Sequence, residues 1–353
     1  MSAAEQLAPP AGPPASAKML GEPSGLVDFV LRARTFGIVA ILALLVLVTT
    51  LIQPGFLHGS NIRFILGDAT LYVLVAVGET FVVLSREVDL SIGSVIGLSA
   101  YVSANTFQAH PGTAIPIVFL IGIGVGVACG IVTGLITAIG RVPSLVVTLA
   151  MLYIIRGVDT IIVGSGQVVA NSLPNSFVNI FHATIVGIPD LAVVTAVLVG
   201  IAAYYLRSYR SGRDLYAIGS DPAAARLAGI PIGRRVFCAF VISGACAGLG
   251  GVFWATQYNT IDATAANGIA LQIIAAVVVG GVAIFGGSGS VVGAALGALL
   301  LQTINVALNV LGVPSIWTEA IAGFLLIVAI TMDRGIQLRL AAALRRRRAN
   351  LGA

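Results

Sequence analysis

Apolar residues gather into about ten stretches along the chain, at 36–53, 62–84, 90–107, 114–138, 144–163, 187–206, 236–257, 268–285, 290–311 and 317–332. Most can cross a hydrocarbon core about 30 Å thick, which takes roughly 20 apolar residues in a helix. Polar segments of varied length separate them, the longest being the loop at 207–235. The pattern predicts an all-α polytopic membrane protein with about ten transmembrane helices. The stretches 90–107 and 268–285 are the least sharply bounded.

Charge placement orients this pattern. Only 9% of residues are charged and 58% are hydrophobic, against roughly 25% charged in an ordinary soluble domain. All nineteen Lys and Arg except Arg63 and Arg156 fall in alternate gaps or in the two tails. Cytoplasmic loops carry such an excess, so the N- and C-termini are expected to be cytoplasmic. The opposite orientation would put Arg207, Arg210, Arg213, Arg226, Arg234 and Arg235 outside together. The expected organisation is a cytoplasmic tail at 1–35, a transmembrane domain at 36–332 and a basic cytoplasmic tail at 333–353. Residues 1–24 are Ala/Pro/Ser-rich without an apolar run; they read as a disordered tail and not a cleavable signal peptide. The run Arg345–Arg348 beside the last span suits anionic lipid, so membrane lipid is expected as a partner and nucleic acid is not.

Cys129, Cys238 and Cys246 all fall in apolar spans without C-x-x-C spacing. They read as free thiols packed as small apolar side chains, and no metal site is expected. Gly122, Gly126, Gly130 and Gly134 form a small-xxx-small series, the device that lets helices approach closely in lipid. Gly280, Gly281, Gly286, Gly287 and Gly289 interrupt a later apolar stretch. They allow two readings: a broken helix lining a cavity, or a turn between two spans.

Within 207–235, the segment 221–230 reads as one complete short helix. Asp221 suits the N-cap and Pro222 the first helical position. Ala223 to Ala228 favour helix, Gly229 suits the left-handed position that ends it, and Pro231 blocks continuation. So short a helix needs something to pack against, either the protein's own inner face or a docked partner.

Other polar residues sit at or near membrane depth. Asp89 or Ser91 can cap the helix that follows the Leu84–Ser94 segment, and Arg86 and Glu87 can pair with each other or a neighbouring loop. Glu79 is an ionisable residue inside a span and a functional candidate on that ground; its alternative is a carboxyl satisfied within the bundle. Arg156 and Asp159, three apart, read as a mutually neutralising pair. Gln257, Gln302, Asn305 and Asn309 can contact a neutral polar solute in a translocation path or bond between helices. With Glu79, Asp89 and Ser91 they are the candidate path residues.

The absent motifs narrow the chemistry. No G-x-x-x-x-G-K-[ST] occurs, so no ATP hydrolysis and no cofactor are expected in this chain. No H-E-x-x-H occurs, and His58, His110 and His182 fall in predicted extracytoplasmic loops. No catalytic constellation is present. Glu79 and Asp68 are the only acids available for a proton relay at membrane depth.

Five ordered blocks carry a family resemblance. Val88-Asp-Leu-Ser-Ile-Gly-Ser-Val-Ile-Gly-Leu-Ser-Ala100 resembles the "IDLSVGS…LSA" signature of permeases of monosaccharide ABC importers, the ribose/xylose/arabinose/rhamnose type. Val142-Pro-Ser-Leu-Val-Val-Thr-Leu149 with Ile155-Arg-Gly157 resembles their "IPxxIVTL…RG". Arg213–Ile230, Ser243–Gly251, and Ile274–Gly281 with Gly286–Gly293 match further blocks, so the resemblance spans roughly 60–333. It implies a permease that dimerises with a second copy or a sister permease in a bacterial inner membrane. Its other partners would be a cytoplasmic ATPase that binds the ATP, an extracytoplasmic sugar-binding protein and a monosaccharide substrate. The resemblance further implies that Asp221, Pro222, Ala224, Ala225, Arg226, Leu227, Gly229 and Ile230 couple to the ATPase. The family commonly has two glycines where this chain has Arg86-Glu87, a form similar to permeases for rhamnose or autoinducer-2. Alternatives are an ABC permease for nucleosides or branched-chain amino acids, or an ion-coupled secondary transporter acting alone.

Overall fold

The computed structural model describes residues 24–258, 260–314 and 316–331. Of the expected tail at 1–35, residues 24–35 are helical, because α1 starts at Ser24 and runs on into the first apolar stretch; residues 1–23 and the tail at 333–353 with its Arg345–Arg348 run lie outside the described residues. The helices are α1 (Ser24–Ile52), α2 (Gly59–Leu84), α3 (Ile92–Ala109), α4 (Ile115–Ala138), α5 (Ser144–Val163), α6 (Asn175–His182) and α7 (Asp190–Ser208). They continue with α8 (Arg210–Ser220), α9 (Pro222–Leu227), α10 (Ile232–Gln257), α11 (Ile269–Val279), α12 (Val291–Val310) and α13 (Ile316–Thr331). Two short antiparallel pairs join loops: Val168–Val169 with Thr260–Ile261, and Thr184–Ile185 with Ile188–Pro189.

Among the described residues, six helices, α2, α4, α5, α7, α10 and α12, are long and apolar enough to span a bilayer. The protein is therefore a polytopic helical membrane protein. Burial separates centre from periphery: 83% of the most apolar part of α2 is buried inside the protein, against 22% for α4 and α7. α10 packs most extensively on α4, α3 and α2, and α12 lies against α2 on another side. The outer faces are large and apolar, as with Leu120 and Ile161, which suits lipid contact.

The glycine series of α4 finds its partner on α10. A Cβ added at Gly126 would meet the Gly244 carbonyl and lie 2.7 Å from Gly248 Cα, and one at Gly130 would meet the Phe240 carbonyl. Ser99 Oγ of α3 donates to the Gly248 carbonyl at 2.7 Å and is 3.1 Å from the Gly122 carbonyl. Small residues and a polar side chain thus hold three helices together where lipid supplies no hydrophobic drive.

The expected span at 268–285 is not continuous. α11 ends at Val279, and its 11 residues rise only about 16 Å. A glycine-rich turn separates it from α12, with Gly281, Gly286, Gly287 and Gly289 all at positive φ. Ahead of α11, irregular backbone at 262–268 packs on α3, where a Cβ at Gly93 would lie 3.0 Å from the Ala266 carbonyl. Arg156 Nη1 donates to the carbonyls of Ala263 and Ala265, each at 2.9 Å. Non-helical backbone inside a membrane protein is tolerated where the protein satisfies its polar groups, and Arg156 does so here. Its 3.5 Å ion pair with buried Asp159 is therefore one part of a larger contact.

Candidate translocation path and coupling site

The short helix α9 forms as its residue types dictate. The Asp221 carboxylate accepts from the amides of Ala223 (2.9 Å) and Ala224 (3.1 Å), and Pro222 opens the helix. At the other end the Gly229 amide donates to Arg226 O and the Ile230 amide to Ala225 O, with Gly229 at φ +74°. This paired closure satisfies carbonyls that would otherwise be left open at the helix end. Asp221, Ala224, Arg226 and Gly229 are exposed, Pro222 and Ile230 half-buried, and Leu227 is 91% exposed. Ala225 is buried, because it faces the protein's own body; it is not an accessible contact residue.

α9 is tied to the membrane helices through α8. A Cβ at Gly219 would meet Leu84 O and Gly287 N, so the end of α8 lies flush against the end of α2 and the turn before α12. The Gly287 amide donates to Leu84 O at 3.1 Å, and Tyr216 Oη donates to Gly289 O at 3.2 Å. Arg235 at the start of α10 pairs with Asp214 of α8 at 2.8 Å. The same face holds a hollow of about 480 Å³ lined by Glu87, Arg141, Arg226 and Ile230 among others. Burial pushes the Glu87 carboxyl upward, only partly offset by the Ser144 hydroxyl and the Arg86 charge.

The opposite ends of α2, α10 and α12 border a larger cavity of about 650 Å³, where polar side chains stand beside apolar ones such as Phe64, Phe181 and Val306. Asp68 and Leu84 mark the two ends on α2, 16 residues and so about 24 Å apart. Gln257 Nε2 donates to Asp68 Oδ1 at 2.6 Å. Tyr258 lines the cavity and stacks on Trp254, ring centres 3.9 Å apart and planes 18° apart. Asn305 Oδ1 accepts from Thr318 Oγ1 at 3.1 Å and lies 3.4 Å from Asn309 Nδ2. Arg63 also faces the cavity, its Nε donating to Gly59 O. Gln302, one turn from Asn305 on α12, is buried with no hydrogen-bond partner for Oε1.

The structure divides the candidate path residues. Gln257, Asn305 and Asn309 line this cavity, and Gln302 lies one helical turn away. Glu79, Asp89 and Ser91 lie together at the other end of α2, fully buried. There Glu79 Oε1 accepts from the Asp89 amide at 3.0 Å, and Asp89 Oδ1 accepts from the Ser91 amide and hydroxyl at 2.9 and 2.6 Å. Asp89 thus holds the turn ahead of α3, whose N-cap Ser91 makes no side-chain capping bond. Sequence reasoning passed over Arg63, His182 and Tyr258, and weighed Asp68 only as a proton carrier. The available signals were an acid inside a span, and two aromatics four residues apart at the end of α10. His182, expected in a loop, is the last residue of α6 and lines the cavity.

The family described as "Branched-chain amino acid transport system / permease component" matches residues 61–330. The chain is similar to the autoinducer 2 import system permease protein LsrC of Enterobacter sp. (strain 638), 32% identical over 83% of this chain and 85% of that one. It is similar to the ribose import permease protein RbsC of Escherichia coli (strain K12), 33% identical over 84% and 92% of the two chains. A third relative is the D-allose transport system permease protein AlsC of the same strain, 31% identical over 87% and 94%. No solved structure matches the chain. The family match covers nearly the whole helical body, and the relatives are matched over most of their length: the chain belongs to this family of ABC-importer permeases, as a transport component and not an enzyme.

Proposed function

We propose that this chain is the membrane-spanning permease of an ATP-driven importer for a monosaccharide or a similarly small polyol, in a bacterial inner membrane. The ribose, allose and autoinducer 2 permeases among its relatives support the substrate class. The amide side chains of Gln257, Asn305 and Asn309 in the cavity support it further, since they can donate to and accept from the hydroxyls of a neutral solute. Both termini lie in the cytoplasm, on the same side as the Arg-rich loop. Residues 36–332 make the transmembrane domain with about ten membrane segments, α11 being a half-length one. Residues 1–35 and 333–353 are cytoplasmic tails. A second permease copy or a sister permease completes the path, and an extracytoplasmic binding protein delivers the sugar. A separate cytoplasmic ATPase binds ATP and receives α9 through Asp221, Arg226 and Leu227.

The observation that carries this reading is the backbone junction of Gly219, Leu84 and Gly287. It joins the exposed short helix to α2 and α12, whose far ends line the cavity, so movement of α9 is passed to the path as a rigid-body shift. ATP-dependent sugar uptake into vesicles holding permease, ATPase and binding protein tests it. Leu227→Asp should keep wild-type expression, because Leu227 touches little, yet lose ATPase co-purification and at least ten-fold of the uptake. Uptake driven by an ion gradient without the ATPase would overturn the reading in favour of a secondary carrier.

A further inference from the structure

We infer that the cavity between α2, α6, α10 and α12 is itself a binding site for one neutral monosaccharide, in which Asp68 and Gln257 are specificity-determining residues. This rests on the importer reading above and adds a station inside the permease. The size, about 650 Å³, falls in the range of small-molecule sites, which are concave and carry a few placed polar groups.

The lining has what a sugar needs. A ring of hydroxyls is recognised by groups that accept and donate side by side, and Asp68, Gln257, Asn305 and Asn309 offer such atoms from three different helices. The Asp68–Gln257 bond at 2.6 Å fixes both side chains before a ligand arrives, which lowers the ordering cost of binding. Asp68 Oδ2 and the Gln257 carbonyl oxygen remain as acceptors. Tyr258, held by its stack on Trp254, presents an aromatic ring beside these polar groups. The lining carries one basic and one acidic side chain, Arg63 and Asp68, together with His182. The site lies about 24 Å along α2 from the coupling junction, within reach of the helix movement that would release the sugar.

The test uses the full chain in nanodiscs with Trp317→Phe, which leaves Trp254 as the only one of two tryptophans. D-ribose, D-allose, D-xylose, L-arabinose, L-rhamnose and L-leucine are titrated while tryptophan fluorescence is followed. At least one sugar should give a saturable change at millimolar concentration, and leucine none. Asp68→Asn, which keeps shape, should weaken that binding about ten-fold. Asn309→Ala, at an exposed position whose change leaves the fold intact, should weaken it about three-fold. In ATP-driven vesicles both variants should raise the KM for uptake more than they lower kcat. Absence of a saturable change with any sugar, a response to leucine alone, or unaltered binding and KM in both variants would overturn the site. Normal ATP-driven uptake in those same variants would leave the importer reading standing, whereas loss of ATP dependence in the wild type would remove both.

Discussion

Arg156 on α5 donates through Nη1 to the carbonyl of Ala265, 2.9 Å away and 109 residues later in the chain. The same nitrogen bonds Ala263 O and faces Asp159, whose side chain is fully buried. Removing the guanidinium leaves two carbonyls and a buried carboxylate without their partner, and breaking such a buried pair costs about 3–5 kcal/mol. Arg156→Met should therefore unfold the permease at much lower temperature in detergent. Asp159→Asn in that background should recover part of the loss, because the orphaned charge is gone. A double-mutant cycle on thermal unfolding measures the coupling; additive effects would show that Arg156 acts without Asp159.

The contact between α4 and α10 predicts a contrast within one helix. Gly126→Ala places a methyl against the Gly244 carbonyl and 2.7 Å from Gly248 Cα, and overpacking of this kind costs about 1–3 kcal/mol. Gly124→Ala, two residues away, meets nothing within 4 Å. It should be neutral or stabilising by up to about 1 kcal/mol, as expected for Gly→Ala in a helix. Melting temperatures of the two variants check the difference.

Arg86 stands where the resembling family commonly has glycine, and it has φ +70°, a conformation that costs a side-chain-bearing residue about 1–2 kcal/mol. Arg86→Gly should remove most of that strain and be stabilising or neutral, since glycine gives back part through its unfolded-state entropy. The reverse change across the contact, Gly286→Ala, puts a Cβ 2.9 Å from the Arg86 amide at φ +79°. It should lower both thermal stability and ATP-coupled uptake, and an unfolding series on the two variants shows the opposite signs.

Glu87 predicts a pH dependence at the coupling face. Burial raises its folded-state pKa above the ordinary 4.5, so the folded protein holds the proton more tightly than the unfolded chain. Its contribution is fully present below pH 4.5 and is lost as pH rises through the folded value. Glu87→Gln should raise thermal stability at pH 7 and have little effect at pH 4. Melting curves across this range test it, and a variant whose advantage grows toward acid would contradict the sign.

Much of this protein was legible in residue order alone. Apolar length and the placement of Arg marked a polytopic membrane chain, since the bilayer acts on every segment separately. The short helix at Pro222–Leu227 was equally readable, because Asp221, Pro222 and Gly229 act on neighbouring backbone groups. The glycine series of α4 announced a close contact without naming Gly244 and Gly248 as its partner. Only the tertiary structure decided that Arg156 serves a distant irregular segment, that Gly219 joins Leu84 and Gly287, and that Asp68 and Gln257, 189 residues apart, share a cavity. It also separated Glu79, Asp89 and Ser91 from the other polar candidates, at the far end of the same helix. Capping, turn geometry and bilayer crossing depend on a few consecutive residues, whereas a cavity or a junction is made by helices whose meeting no local pattern records.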